Sequence, residues 1–288
     1  MARSEPHNET LGEALARNVR DALAEDIGMA DWTALLVPAE RRAKASVVAK
    51  EAAVLAGQRW FDACVRALDG AASVHWQAGE GASVEAGTEV CRIDAQARAL
   101  LSAERSALNF LQMLSGVATA TRAYVDAIAG LSPNPKGCAI LDTRKTLPGL
   151  RQAQKYAVRV GGGCNQRLAL WDGILIKENH IAAAGGIRAV LDAARALDAG
   201  VPVQIEVESL AELQQALEAG ATSVLLDDFS LDDMHAAYVL TQGRALLEAS
   251  GSVNLERVRD IARTGVDRIS IGKLTKDVRA IDLSMRFA

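Results

Sequence analysis

The amino-acid sequence predicts an α/β protein in which a barrel or near-barrel of parallel strands follows a separate α+β unit. Two observations support this prediction. After Cys138, six short strand-like runs alternate with helical segments and begin roughly 20 to 35 residues apart, which is the period of β-α units in a parallel sheet. Before Cys138, helices are separated by short strand candidates that glycines interrupt. Periodicity alone also allows a doubly wound open sheet.

The first third of the chain supplies the elements of the α+β unit. Apolar residues recur every four positions from Leu11 to Ile27 and predict an amphipathic helix, and residues 57–68 fit a second helix. A strand is expected at Ala45–Ala49. Residues 79–93 alternate briefly and carry glycines, so we expect two strands joined by a turn. A long helix is expected from about residue 95 to residue 116, because leucines give it one broad apolar face.

The remaining two thirds supply the barrel. Its strand candidates are AILDT, GILIKE, VQIEVE, SVLLDD, ALLEAS and RISIG. Residues 131–137 contain two prolines and lead into this region, and the C-terminal run is expected to return to the first domain. The sequence therefore predicts an N-terminal domain at residues 1–116, a barrel domain at 117–275 and a C-terminal segment at 276–288.

Composition and charge exclude several classes of protein. The formal net charge of −4 does not indicate a protein that coats nucleic acid or an anionic membrane. The four cysteines are far apart and form no Cys-x-x-Cys pair, so we expect reduced thiols. The first ten residues lack the apolar core of a signal peptide, and no stretch approaches the ~20 apolar residues of a membrane span. We expect a cytoplasmic protein.

The residues that follow the six strand candidates form a pattern by charge. In parallel α/β folds, ligands bind at the carboxyl ends of the strands. Cations follow the first two strands, carboxylates the third and fourth, and glycine-bearing turns the last two. Carboxylates that face a cationic wall suit a polyanion chelated by Mg²⁺, and late glycine turns suit phosphate. Each charged residue taken singly is equally consistent with a solvated loop.

Strand alternation refines the acidic part of this pattern. Glu206 and Glu208 are two residues apart and share one face, whereas Val207 points away. A glutamate pair inside a barrel needs partners, and a cationic mouth would supply them. Asp228 is expected to cap the segment after its strand, because it faces the opposite way from Asp227.

Two long motifs and several short ones go beyond periodicity. Residues 141–163 read LDTRKTLPGLRQAQKYAVRVGGG, and residues 167–181 read RLALWDGILIKENHI. The shorter motifs are DWTALLVPA, AERSALNFLQMLSGVAT, IEVES, LLDDF, EASGSVN and ISIGKLTKD. Together they cover nearly the whole chain and closely resemble the quinolinate phosphoribosyltransferase family, also called nicotinate-nucleotide pyrophosphorylase (carboxylating).

The resemblance implies an N-terminal α+β open-faced sandwich domain followed by an incomplete six-stranded α/β barrel. It also implies a homodimer, or an assembly of dimers, in which Arg105 of one subunit reaches the site of its neighbour. Without the motif, Arg105 would be interpreted as an exposed helix arginine, paired with Glu104 or with a residue one turn away.

The resemblance also implies the roles of the strand-end residues. The cations matched to quinolinate binding are Arg144, Lys145, Arg167 and Lys177. The residues matched to phosphate binding are Ser250, Gly251 and Gly272, with Lys273 and Thr275 as lesser candidates. Glu206 and Asp227 match the positions that hold Mg²⁺ on phosphoribosyl pyrophosphate, and with Lys177 they are the expected catalytic residues.

One position departs from the family pattern. Family members usually have Asn-His-Arg where this chain has Asn165-Gln166-Arg167. Gln166 can hydrogen-bond a carboxylate but cannot carry the positive charge of a histidine. Affinity or the pH profile should therefore differ if this side chain matters. His180 is the remaining histidine near the mouth, and its role is open.

The expected reaction is phosphoribosyl transfer to quinolinate with decarboxylation, in NAD biosynthesis. Three alternatives remain. The chain could act on nicotinate or another heterocyclic acid, although four pocket cations argue against a singly charged substrate. It could be a non-catalytic binding protein, which would be expected to lose the acidic pair or the phosphate turns. It could also be a phosphate-binding aldolase with an imine-forming lysine at Lys177.

Overall fold

A computed structural model describes residues 8–287 of the chain. The helices in this range are α1 Leu11–Ile27, α2 Gln58–Leu68, α3 Ala97–Ile128, α4 Arg151–Val160, α5 Glu178–Ala184, α6 Ile187–Ala196, α7 Leu210–Glu218, α8 Leu231–Thr241, α9 Arg257–Arg263 and α10 Lys273–Lys276. The strands are β1 Arg42–Ala49, β2 Ala53–Val54, β3 Ser73–Trp76, β4 Ser83–Val84, β5 Glu89–Gln96, β6 Ala139–Leu141, β7 Ile174–Ile176, β8 Val203–Val207, β9 Ser223–Asp227, β10 Leu246–Ser250, β11 Arg268–Ser270 and β12 Leu283–Phe287. None of the described helices is both long and apolar enough to cross a membrane.

The chain divides into two compact units. Among the described residues, the first contains 8–120, Leu147–Gly161 and 277–287. The second contains Thr121–Thr146 and Gly162–Lys276.

The first unit is built on an antiparallel sheet with strand order β12-β1-β5-β3. Strand β1 pairs with β12 on one side and with β5 on the other. Its inward positions Ala45, Val47 and Ala49 are buried, whereas the alternate positions are partly or fully exposed. One face of the sheet is therefore covered, as period-two alternation requires. The C-terminal strand β12 completes the edge of this sheet.

The second unit is a parallel sheet with strand order β6-β11-β10-β9-β8-β7. Strands β7 to β11 are neighbours in sequence order, and the first strand, β6, lies beside the last, β11. A doubly wound sheet reverses its order at an internal strand, whereas a barrel brings its first and last strands together. Strands β6 and β7 remain unpaired with each other, so the prediction of an incomplete six-stranded barrel is confirmed.

The two strands predicted at residues 79–93 are present as β4 and β5, but they do not pair with each other. Strand β4 pairs with the short strand β2, and β5 joins the main sheet of the first unit. The turn at Gly87, with a φ of 87°, separates them. Local alternation predicts a strand but not its partner, because pairing is decided by distant residues.

The segment Leu147–Gly161 belongs to the first unit, although the sequence placed it inside the barrel domain. The side chain of Asn18 in α1 donates a 3.0 Å hydrogen bond to the carbonyl of Gly149. In α4 the Tyr156 ring lies 5.4 Å from the ring of the fully buried Trp60. Helix α4 therefore packs its apolar face on α1 and α2, and sequence order alone did not indicate this.

The long helix α3 continues to Ile128, past the end predicted at residue 116. A glycine commonly marks a helix end, and Gly116 suggested one here. In the structure Gly116 is a buried residue inside the helix, and an added Cβ would overlap the carbonyl oxygen of Arg279. The glycine thus permits the close approach of two backbone segments within the first unit.

We expect Gly116→Ala to lower the free energy of unfolding by about 1–3 kcal/mol, because the new methyl group meets backbone that cannot rotate away. Gly12→Ala in α1 is the matched control, since the nearest atom to a Cβ there is Thr10 Oγ1 at 4.0 Å. Alanine should leave that site neutral or stabilise it by up to about 1 kcal/mol. Urea unfolding of both variants measures the difference, and equal midpoints would contradict the packing role of Gly116.

Candidate active site at the carboxyl ends of the barrel strands

The candidate residues of the second unit lie where its parallel strands end. Asp227 and Ser250 are the last residues of β9 and β10, and Lys177 follows β7 directly. Strands β6 and β11 are followed by the 142–146 loop and by Gly272. Because all six strands run in the same direction, these positions share one edge of the sheet, here called the mouth.

Lys177 and Glu206 form an ion pair at the mouth. The Lys177 Nζ atom lies 3.0 Å from Oε1 and 2.9 Å from Oε2 of Glu206. The register of β7 and β8 pairs Ile176 with Ile205, which brings the following residues together. The Glu206 side chain is 11% exposed and that of Lys177 is 49% exposed. The carboxylate is therefore largely withdrawn from water, and the ammonium group keeps a side open to a ligand.

Glu208, the second glutamate expected to face into the barrel, differs from the expectation. Glu208 is exposed, so only Glu206 has the partly buried position with a cationic partner. A hydrogen bond with Glu178 raises the pKa of the Glu208 carboxyl, and the negative charge of Glu178 raises it further. Strand β8 ends at Val207, so alternation no longer directs Glu208 into the barrel.

Arg144 and Arg167 bring two guanidinium groups close together. Burial lowers the pKa of Arg167, and the positive charge of Arg144 lowers it further. Arg167 is held by a 2.9 Å hydrogen bond from its NH1 atom to the carbonyl of Gly173. Two partly buried cations that repel each other favour the arrival of an anion, and guanidinium groups suit carboxylates best.

The segment that carries Arg167 is anchored by a residue to which the sequence assigned no role. Asp142 follows β6 and is fully buried. It accepts hydrogen bonds from the backbone N–H of Gln166, at 3.0 Å, and from the side-chain amide of Asn165. A carboxylate directly after a strand is the available signal, but only the fold shows that its partners lie more than twenty residues further along the chain.

A cavity of about 400 Å³ lies at the ends of β9, β10 and β11. Its lining includes Thr143, Lys145, Asp227, Asp228, Ser250, Gly251, Ser252, Gly272, Lys273 and Lys276. The structure therefore brings together both predicted glycine turns, Asp227 and one of the predicted cations. Lysines and open backbone around a pocket of this size suit phosphate groups.

Two glycines line this cavity, and an added Cβ would crowd a neighbouring side chain at each. A Cβ on Gly272 would lie 3.0 Å from Cδ of Lys145. Gly251 has a φ of 132°, and a Cβ there would lie 2.8 Å from Oδ1 of Asp228. Both turns thus keep the backbone accessible at points that any larger residue would fill.

Two other mouth residues have structural roles. Thr275 is buried and donates a 2.8 Å hydrogen bond to the carbonyl of Lys145, so it supports the cavity loop. His180 accepts a 3.0 Å hydrogen bond from the backbone N–H of Lys177 through Nδ1 and caps α5. The expectation that Asp228 caps the next helix is wrong. Asp228 has a φ of 55°, and Ser230 caps α8 instead.

The acidic residues provide a sparse donor set for a metal ion. Within residues 8–287, no group of three or more histidine, cysteine or acidic side chains is arranged to hold a metal. Glu206 and Asp227 come from adjacent strands and offer two carboxylates. This set fits Mg²⁺, which commonly takes one or two carboxylates and fills its other positions with phosphate oxygens and water.

Arg105 lies in the first unit, whereas the other candidate residues lie in the second. Its side chain is exposed on α3 beside a small pocket that also includes Glu25 and Asp26. In the described part of the chain it forms neither a hydrogen bond nor an ion pair, so the alternative of a pair with Glu104 is not observed.

Comparison with known proteins agrees with this arrangement. The model of the quinolinate phosphoribosyl transferase C-terminal domain matches residues 117–286, and that of the N-terminal domain matches residues 31–115. A nicotinate-nucleotide pyrophosphorylase [carboxylating] of Mycobacterium leprae is 40% identical over 95% of this chain and 97% of its own length. A probable enzyme of the same name from Bacillus subtilis is 38% identical over 91% of this chain and 89% of its own.

Solved structures give the same result. The structure of the nicotinate-nucleotide pyrophosphorylase from Francisella tularensis superposes with a TM-score of 0.92 at 41% identity, over 99% of this chain and 100% of the other. Both halves of this chain match the family, and full-length relatives match it at about 40% identity. The chain belongs to the quinolinate phosphoribosyltransferase family.

Proposed function

We propose that this chain transfers the phosphoribosyl group of phosphoribosyl pyrophosphate to quinolinate, giving nicotinate mononucleotide, pyrophosphate and carbon dioxide in NAD biosynthesis. The observation that carries the proposal is the placement of two consecutive cations. Arg144 interacts with Arg167, and Lys145 lines the cavity beside Gly272. A carboxylate-binding group and a phosphate-binding cavity thus adjoin at one loop.

The cationic group suits a substrate with two carboxylates. Quinolinate carries two neighbouring carboxylates, and Arg144, Arg167 and Lys177 offer charges and forked donors for them. Burial and the positive charge of Arg144 lower the pKa of Arg167, and binding of a dianion would offset both. A singly charged nicotinate would offset them less, so this set favours quinolinate.

The reaction needs positioning and charge stabilisation rather than an enzyme nucleophile. The quinolinate nitrogen attacks the anomeric carbon of the ribose while pyrophosphate leaves, through a transition state with oxocarbenium character. Attachment makes the ring nitrogen cationic, so the adjacent carboxylate departs as carbon dioxide and leaves its electron pair on the ring carbon. A proton then takes its place.

The chain's own residues have separate tasks in this scheme. Arg167 and Lys177 hold the carboxylates, and Ser250, Gly251 and Gly272 cradle phosphate, with Lys145 and Lys273 adding charge. Glu206 and Asp227 would hold Mg²⁺, which supplies charge neutralisation on the pyrophosphate. Glu206 also keeps Lys177 in place through the ion pair at 2.9 Å.

A homodimer, in which Arg105 enters the site of the neighbouring subunit, accords with two features of the first unit. Arg105 is exposed and has no hydrogen bond or ion pair within the described residues. The segment after α1 also exposes Met29, Trp32 and Leu36, which are 98%, 73% and 83% accessible. Exposed apolar clusters of this kind commonly mark protein interfaces.

The alternatives have less support. An imine-forming lysine must attack as a neutral amine, and both oxygens of Glu206 contact the Lys177 Nζ atom, which does not favour an aldolase. A non-catalytic protein has no need of the acidic pair and the phosphate turns that this chain retains. Gln166, which replaces the usual family histidine, is the feature that would favour a different acceptor substrate.

The first test is an assay with Mg²⁺, phosphoribosyl pyrophosphate and carboxyl-labelled quinolinate that scores carbon dioxide and mononucleotide together. We expect coupled release from quinolinate and little product from nicotinate. Lys177→Ala should lower the rate by about 10²–10³-fold, the usual cost of removing one preorganised electrostatic group. Lys136→Ala, an exposed site before β6, is the matched control. Binding of quinolinate without any product would refute the proposed reaction.

The second test concerns the acidic pair. We expect Glu206→Gln and Asp227→Asn each to raise the Mg²⁺ concentration for half-maximal rate by at least about tenfold, because each removes one oxygen ligand of full charge. Glu208→Gln is the control, since Glu208 is exposed and interacts with Glu178. Titration of the rate with Mg²⁺ measures the shift, and unchanged curves for both variants would remove the carboxylates from the metal site.

The third test concerns the neighbouring subunit. Arg105→Ala and Lys177→Ala should each be nearly inactive alone, but mixing equal amounts under subunit exchange should restore about a quarter of the wild-type rate, because half of the dimers then contain one intact site. Separately tagged subunits report the exchange. Exchange without recovered activity would show that Arg105 serves its own subunit.

A further inference from the structure

A chain of polar side chains runs through the second unit beneath the mouth. Gln166 Nε2 donates to Gln204 Oε1 at 2.8 Å, and Gln204 Nε2 donates to Glu248 Oε2 at 2.9 Å. Arg268 Nε lies 3.6 Å from the same Glu248 oxygen. These four residues come from the segment before β7 and from β8, β10 and β11, and they are here called the polar relay. Gln204 shares a face of β8 with Glu206 and lies one layer deeper.

The carboxylate of Glu248 determines which atoms of the relay side chains donate and which accept. Its side chain is 1% exposed, and one of its oxygens has no hydrogen-bond partner within residues 8–287. A carboxylate this poorly solvated is a strong acceptor and requires a donor. Gln204 must therefore turn its amide nitrogen toward Glu248, which leaves its oxygen facing Gln166.

Gln166 transmits this direction to Arg167. Because Gln204 presents an acceptor, Gln166 uses its amide nitrogen as the donor, and its own oxygen accepts the backbone N–H of Arg167. The backbone N–H of Gln166 is held separately by the buried Asp142. Both the side chain and the backbone of Gln166 thus fix the start of Arg167, while Gly173 fixes the guanidinium end.

We infer that Gln166 and Gln204 are positioning residues that set Arg167 for the carboxylates of the substrate, with Glu248 as the fixed anchor of the relay. The inference rests on the proposed function for the identity of the carboxylate ligand. The relay needs a hydrogen-bond donor at position 166, not a positive charge. Glutamine meets this need, and quinolinate binding then has no contribution from a group at this position that titrates near pH 6.5.

The test compares Gln204→Met, Gln166→Met and the double variant in the full-length protein. Methionine keeps the length of glutamine but can neither donate nor accept these bonds. We expect each single variant to raise the KM for quinolinate about tenfold, the size of effect seen for residues that orient a binding group. The KM for phosphoribosyl pyrophosphate should change less than about twofold. The double variant should raise the KM for quinolinate little more than the single variant with the larger effect, because both substitutions break the shared Gln166–Gln204 bond.

Gln166→His supplies the matched rescue. It restores a donor toward Gln204, so its KM for quinolinate should return close to the wild-type value. It should also introduce a step in the pH dependence of quinolinate binding near about pH 6.5, because protonation adds a charge and removes the ring acceptor for the backbone N–H of Arg167. The wild-type protein should lack this step. Gln214→Met on the exposed face of α7 controls for the substitution itself and should leave all constants unchanged.

Calorimetric binding of quinolinate and urea unfolding accompany the kinetics. If Gln204→Met fails to fold, Gln166→Met and its histidine rescue decide the question, because they leave the Gln204–Glu248 bond in place. Folded variants with unchanged quinolinate binding, equal effects on both substrates, or additive effects in the double variant would each overturn the relay. A wild-type protein that binds quinolinate but does not turn it over would refute the proposed reaction. The quinolinate affinities of the variants would still test the relay.

Discussion

The parallel direction of six strands is the constraint on which the second unit depends. A parallel pair cannot be joined by a tight turn, so each strand is followed by a crossover, and every carboxyl end lies at the same edge. Residues that are far apart in sequence, such as Arg144, Lys177 and Ser250, therefore share one mouth. The register adds the detail, since pairing of Ile176 with Ile205 brings Lys177 to Glu206.

Charge balance within this mouth explains how a protein with net charge −4 can carry a cationic pocket. Lys177 pairs with Glu206 but keeps one side open, and Arg268 lies near the buried Glu248. Burial lowers the pKa of Arg167, the positive charge of Arg144 lowers it further, and an anionic ligand would offset both effects. The carboxylates thus position part of the cationic set, and the partly buried Arg167 guanidinium remains where an anionic substrate can bind.

Local sequence predicted the elements well wherever one segment carried its own signal. All six barrel strands lie at or inside the predicted runs, because buried strands flanked by turns are recognisable from short windows. The predicted end of α3 was wrong, because Gly116 does not end the helix. It is a glycine because the backbone of Arg279, far along the chain, leaves no room for a side chain. Sequence order placed residues 147–161 in the barrel domain, whereas in the structure Tyr156 of α4 packs on Trp60 and the segment clusters with the first unit. Glu208 and Asp228 were misjudged because strand alternation ends one residue before each.

The sequence by itself determined the fold class, the family and the set of charged residues at the strand ends, since these depend on residue type and spacing. Only the tertiary structure decided which of those residues meet: Lys177 with Glu206, Arg144 with Arg167, and Gln166 with Gln204. It also showed that Thr275 and His180 support the site through backbone contacts. The physical reason is that hydrogen bonds and ion pairs depend on separations of about 3 Å, which strand register and crossover packing fix and residue order does not.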